Sequence, residues 1–198
     1  MSAPQNIEVI RTRRAVIRPF AETYIFISLT AYAVTVVATR FFLALTGYPQ
    51  LGTAVLHFAH ALWGGLLLFA GGLLILIVAN QTALTLAAVL NGVGAGLFID
   101  EIGKFITHQN DYFFAPAAPI IYSLFLLLVL LYLMVRRSRQ NSPRAAMYRA
   151  LAGMGEILDH DLDPHEREQL LSELAIGQTA SEPHIVHLAN RLASYLQD

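Results

Sequence analysis

The chain has 198 residues, of which 56% are hydrophobic and 14% charged, and its formal net charge is −1. Soluble domains carry about 25% charged residues, whereas the 59 residues 41–99 contain no Lys, Arg, Asp or Glu. A helix crosses the hydrocarbon layer with about 20 apolar residues, so this stretch holds two crossings. That excludes a soluble enzyme, a nucleic-acid binder and a disordered tail protein. The absence of cysteine excludes disulfides, thiolate metal sites and thiol redox chemistry.

In chain order, residues 1–20 form a basic segment with Arg11, Arg13, Arg14 and Arg18. Arg11, Arg14 and Arg18 share a helical face, with Ile7, Ile10, Val16 and Ile17 on the remainder. This pattern fits a short interfacial helix on anionic headgroups or an ordinary orientation signal. Four spans follow, near 21–46, 53–79, 82–106 and 116–135. Gly47, Pro49 and Gly52 end the first, because proline removes a donor and glycine weakens a helix. Asn80, Gln81 and Thr82 are the polar turn between the second and third. Pro116 and Pro119 open the fourth, where a first turn tolerates proline. A second basic collar, Arg136, Arg137, Arg139 and Arg144, comes next.

With an even number of spans both termini share one side. The two collars lie there, against Lys104 alone in the opposite loops, so both termini are expected in the cytoplasm. A secretory signal peptide is the competing reading of residues 1–38. It is set aside because removing the first span would leave three and put the second collar in the wrong compartment.

Residues 143–198 are expected to form a small acidic cytoplasmic domain of three helices. The stretch after Pro143 has nine Asp/Glu against four Arg. Helical periods run through Met147, Leu151, Met154 and Leu158, through Leu170, Leu171 and Leu174, and through Ile185, Leu188, Leu192 and Leu196. Asp163-Pro164-x-Glu166 is a capping-box start, and Ser181 offers a cap before Pro183. So small a core is expected to lean on a second copy or a cytoplasmic protein partner. Asp159, Asp161 and Asp163 fail as a calcium loop, since Pro164 and Leu170 stand where glycine and a twelfth-position acid are needed. His184 and His187 fit a solvated face better than a metal site.

The candidate site lies inside the membrane. At 1.5 Å per residue, Arg40, His60 and Asp100 each fall about 9 Å inside the outer ends of their spans. His57 lies one turn above His60, Glu101 adjoins Asp100, Lys104 is one turn further out, and Asp111 lies in the loop beyond. Such residues are expensive in lipid and normally face a helix interface or a wet cavity. His57, Gly64 and Gly71 recur by sevens, and Gly92, Gly96, Asp100 and Gly103 share a face. Small faces allow close approach, so the imidazoles and carboxylates are expected to meet across an interface between spans two and three. Trp63, about 13 Å deep, is expected to give its indole N–H to Asp100 or Glu101. Residues 108–114, half polar and half aromatic, fit a lid or an interfacial anchor.

Three readings follow. His57 and His60 with Asp100 and Glu101 form an N/O ligand set for zinc, iron or manganese, with the acids as ligands or acid/base groups. Arg40 and Lys104, with Asp111, then balance charge or grip an anionic substrate such as a lipid headgroup. Alternatively the set is the gate or proton relay of a channel or transporter. That reading needs a water path, and inward of Trp63 and Asp100 the two spans are taken as Gly, Leu, Ile and Val as far as Asn80. In the third reading Arg40 and Lys104 neutralise the acids in a structural or signalling subunit. Two cations against three anions give −1, and a divalent metal would make it +1, so the cluster does not require one.

The segments HFAHALWGG (57–65), GLFIDEIGKF (96–105) and NDYFFAP (110–116) together resemble a family of uncharacterised bacterial four-span integral membrane proteins. The resemblance covers roughly residues 50–135. It implies a protein of the bacterial inner membrane and brings no activity with it. The expectation is an all-α polytopic membrane protein: a four-helix bundle with a small cytoplasmic helical C-terminal domain, set in the lipid bilayer and open to homo-oligomerisation. The metal site is the leading functional reading.

Overall fold

A computed structural model of the chain describes residues 15–47, 60–108, 111, 114–138, 142–158 and 162–197. Every regular element among them is helical: α1 (Ala21–Thr46), α2 (His60–Ile77), α3 (Gln81–Asp100), α4 (Ile102–Ile106), α5 (Ala117–Arg137), α6 (Pro143–Leu158), α7 (Pro164–Gln178) and α8 (Pro183–Gln197). Four of these, α1, α2, α3 and α5, are long and apolar enough to cross a membrane. The chain divides into two compact units, 20–139 and a second containing residues 140–198.

Local chemistry sets the ends in the first unit. α1 stops at Gly47, whose φ of +69° is the left-handed conformation that a residue with a Cβ rarely adopts, and whose N–H donates to Leu43 O. Asn80 caps α3 by accepting from the Ala83 N–H at 3.0 Å. The third span is not one helix as its hydropathy predicts. It breaks at Glu101 (φ −89°, ψ 11°) between α3 and α4.

The long helices pack α2 on α3, α3 on α1 and α1 on α5, so they form a row with α3 and α1 in the middle rather than a ring. Glycines let the backbones approach. A Cβ on Gly64 would stand 2.6 Å from Gly94 O, and one on Gly94 would stand 2.7 Å from Gly64 O. On the other side of α3, Gly92 rests against Ser28 and Ala31, and Gly96 against Tyr32 and Thr35. The Gly92–Gly96–Asp100 face therefore meets α1, not α2 as the sequence predicts. Buried Tyr32 ties α1 to α5 through its hydroxyl, which donates to Ile121 O at 3.0 Å.

The second unit is three helices around Met147, Ala150, Leu170, Leu174, Ala189, Ala193 and Leu196. The predicted capping box of α7 is present, with Glu166 N–H to Asp163 Oδ1 at 2.8 Å and Asp163 N–H to Glu166 Oε2 at 2.9 Å. The first N–H groups of α8 go to Glu182 O instead of a Ser181 side chain. The inward face of α6 is Met147, Ala150 and Met154, leaving Leu151 48% exposed. The reason is size: fully buried Ala150 and the contact of Met147 with Gly177 bring the helices together where Leu151 would hold them apart. Leu188, also predicted inside, is exposed because Ala189 occupies the contact line of α8. His184 and His187 are described as part of α8, with His184 exposed. Asp159 and Asp161 lie outside the described residues.

Gly64→Ala is expected to destabilise the first unit by about 1–3 kcal/mol through overpacking. Gly65→Ala, whose Cβ would meet nothing within 4 Å inside the chain, is expected to leave the packing within the unit undisturbed and so to cost less than Gly64→Ala. Thermal unfolding of the purified chain in detergent separates the two. Asp163→Ala should cost about 1 kcal/mol and speed amide exchange in the first turn of α7.

Candidate functional site: a buried charge network

Two consecutive acids occupy the break between α3 and α4. Successive residues of an unbroken helix point about 100° apart, but the turn at Glu101 lets both side chains go inward. Asp100 is 0% and Glu101 1% exposed. A buried charge without partners is strongly destabilising, and three other segments supply them.

From α1, Arg40 Nε donates to Asp100 Oδ1 at 2.6 Å and its Nη2 to the Asp100 main-chain oxygen at 3.4 Å. From α2, His60 Nε2 lies 3.2 Å from Asp100 Oδ2, while its Nδ1 lies 3.5 Å from Glu101 Oε1. The Ala61 N–H donates to Glu101 Oε2 at 3.0 Å. From α4, the Lys104 ammonium pairs with Glu101 Oε1. Every oxygen of the two carboxylates thus faces a donor or a ring nitrogen. Among the described residues no buried side-chain nitrogen or oxygen is left without a hydrogen-bond partner. Arg40 and Lys104 balance Asp100 and Glu101 one for one, so the network is neutral when His60 is uncharged.

The structure thus joins Arg40, His60, Asp100, Glu101 and Lys104. Asp100 reaches both Arg40 and His60 because α3 lies between α1 and α2. His57 lies outside the described residues. Asp111 is exposed, and its backbone N–H donates to Thr107 Oγ1 at 2.7 Å. Trp63 does not bond the acids: it is 54% exposed and lines an apolar groove with Phe98 and Phe105. The cause is phase, since Gly64 faces α3 and its neighbour Trp63 is turned about 100° away. Among the described residues no group of three or more His, Asp or Glu is arranged to hold a metal ion.

One polar residue is missing from the sequence reading. Inward of the cluster α3 is not uniformly apolar, because Asn91 stands halfway along it with Oδ1 close against Gly71 of α2. The signal was a lone carboxamide in a run of small and aliphatic residues, and it carries no charge to attract notice.

Fold and site together define a protein with four helices long and apolar enough to cross a membrane, three of which, α1, α2 and α3, meet at two buried carboxylates paired with Arg40, His60 and Lys104. Compared with protein families, with curated proteins and with solved structures, the chain matches none.

Lys104→Met leaves Glu101 an uncompensated buried anion and is expected to cost about 3 kcal/mol or more. Adding Glu101→Gln removes that anion and keeps an acceptor for the Ala61 N–H. The double variant should recover most of the loss in detergent unfolding experiments.

Proposed function

We propose that this chain is a structural or signalling subunit of the bacterial inner membrane, in which the Arg40–Asp100–His60–Glu101–Lys104 network fixes the register of α1, α2, α3 and α4. The observation that carries this reading is that every oxygen of both carboxylates is already engaged by a partner from the protein. A site built to take a ligand presents acceptors to it; this one uses them internally. A divalent ion would add two positive charges to a neutral cluster in a low-dielectric setting.

The basic collars put both termini in the cytoplasm and the network toward the outer leaflet. The C-terminal helical unit is then the cytoplasmic part, and its acidic surface is suited to a basic protein partner.

A second reading, the metal centre, draws support from the His60 ring, which has one nitrogen 3.2 Å from Asp100 Oδ2 and the other 3.5 Å from Glu101 Oε1. Zinc, iron or manganese held by His60 and one acid, with His57 completing the set, would require Arg40 or Lys104 to let go of its carboxylate. The freed cation would then face an anionic substrate such as a lipid headgroup.

Elemental analysis decides between the two. The detergent-purified protein is compared with a His57→Gln, His60→Gln double variant, both checked to be folded. The subunit reading expects no stoichiometric metal in either, even after metal is added back. Near-stoichiometric zinc, iron or manganese in the wild type, lost in the variant, would replace it with the metal reading.

A further inference from the structure

Asn91 sits at the midpoint of α3, a depth at which a bilayer offers no water. Its side chain makes no hydrogen bond among the described residues, and no buried polar side-chain atom there is unpartnered. Its Oδ1 rests against Gly71 of α2, and the half-buried amide borders the outside of the α2–α3 pair. The surface beside this amide is open. On α3, Leu84 and Phe98 lie about 20° from Asn91 around the helix axis, and Ala95 about 40°. Gly65 and Gly72 of α2 have nothing within 4 Å of where a Cβ would stand. Phe98 and Gly65 line the same groove of about 700 Å³, so the open glycines and Asn91 lie on one side of the helix pair. Ala61, Leu62, Trp63, Leu66 and Phe105 complete the lining of that trough.

We propose that this trough is the interface of a homodimer, with Asn91 against Asn91 of a second copy. A carboxamide carries both donors and an acceptor, so another carboxamide at the same depth satisfies it. A two-fold axis along the membrane normal supplies that partner, because it places the same residue of both copies at one level. A lipid tail offers no hydrogen bond. Gly65, Gly72 and Ala95 beside the amide admit a second backbone closely enough for the bond to form. This interface is separate from the charge network and does not depend on the function assigned to it.

The absence of native cysteine makes the test direct. Ala95→Cys, in the trough, and Leu86→Cys, exposed on the opposite side of α3, are introduced singly into the full chain and oxidised in native membranes. The mass of the wild type is measured in mild detergent. The expected result is a dimer, cross-linked through Ala95→Cys and not through Leu86→Cys. Asn91→Leu should weaken the dimer about tenfold, and Asn91→Gln should largely retain it. A Cβ at Gly72 meets nothing within 4 Å in one copy, so Gly72→Leu, checked to be folded, should abolish the dimer by filling the trough. A monomeric wild type, equal cross-linking at both positions, or a Gly72→Leu variant that still dimerises would overturn the proposal. Cross-linking of Ala95→Cys to a different membrane protein, or a monomer carrying stoichiometric lipid, would do so as well.

Discussion

Two adjacent carboxyl groups buried in the apolar part of this chain are the constraint around which the first unit is arranged. Neither has water to turn to, and each must be met by donors from elsewhere in the chain. The supply comes from α1, α2 and α4, so the acids tie these segments together. The geometry follows from that demand. α3 must end where Asp100 stands, because a continuing helix would carry Glu101 about 100° away from its partners. It must also lie between α1 and α2, because Asp100 takes Arg40 from one and His60 from the other.

The glycines serve the same arrangement. A central helix with neighbours on both sides needs two small faces, and α3 has them: Gly94 toward α2, and Gly92 and Gly96 toward α1. With bulkier residues there the backbones would stand apart, and the short Asp100 side chain could not reach both sides. Close approach by apolar surfaces and reach by charged ones are one requirement. A row also leaves broad outer faces, so α5 has almost no inward surface and is held chiefly through α1.

The four long helices were legible in the sequence, because an uncharged run of this length suits a hydrocarbon layer and little else. The cluster was legible too, since simple rise arithmetic brings Arg40, His60 and Asp100 to one level, with Lys104 one turn further out. Facing was harder to read. Periodicity shows that Gly92, Gly96 and Asp100 share a face but not which helix that face meets, and the answer was α1. Trp63 was matched to the acids by depth alone, although its neighbour Gly64 already turned it outward. In the second unit the same error took Leu151 as inward, where the small Ala150 sits at the contact. Asn91 carries no charge to mark it in the sequence, although a carboxamide in hydrocarbon also needs hydrogen-bond partners.

The order of the partners along the chain bears on how such a protein is made. Arg40 belongs to the first span and His60 to the second, while the two acids come in the third, with Lys104 following three residues after Glu101. During synthesis the two helices that receive Asp100 are therefore complete before the carboxylates leave the ribosome. The most costly pair of side chains follows Arg40 and His60, into a site whose other walls already exist, and Lys104 comes directly after it. Reversing that order would leave two anions waiting in lipid for their counterions, so the linear sequence itself acts as an assembly schedule for the site.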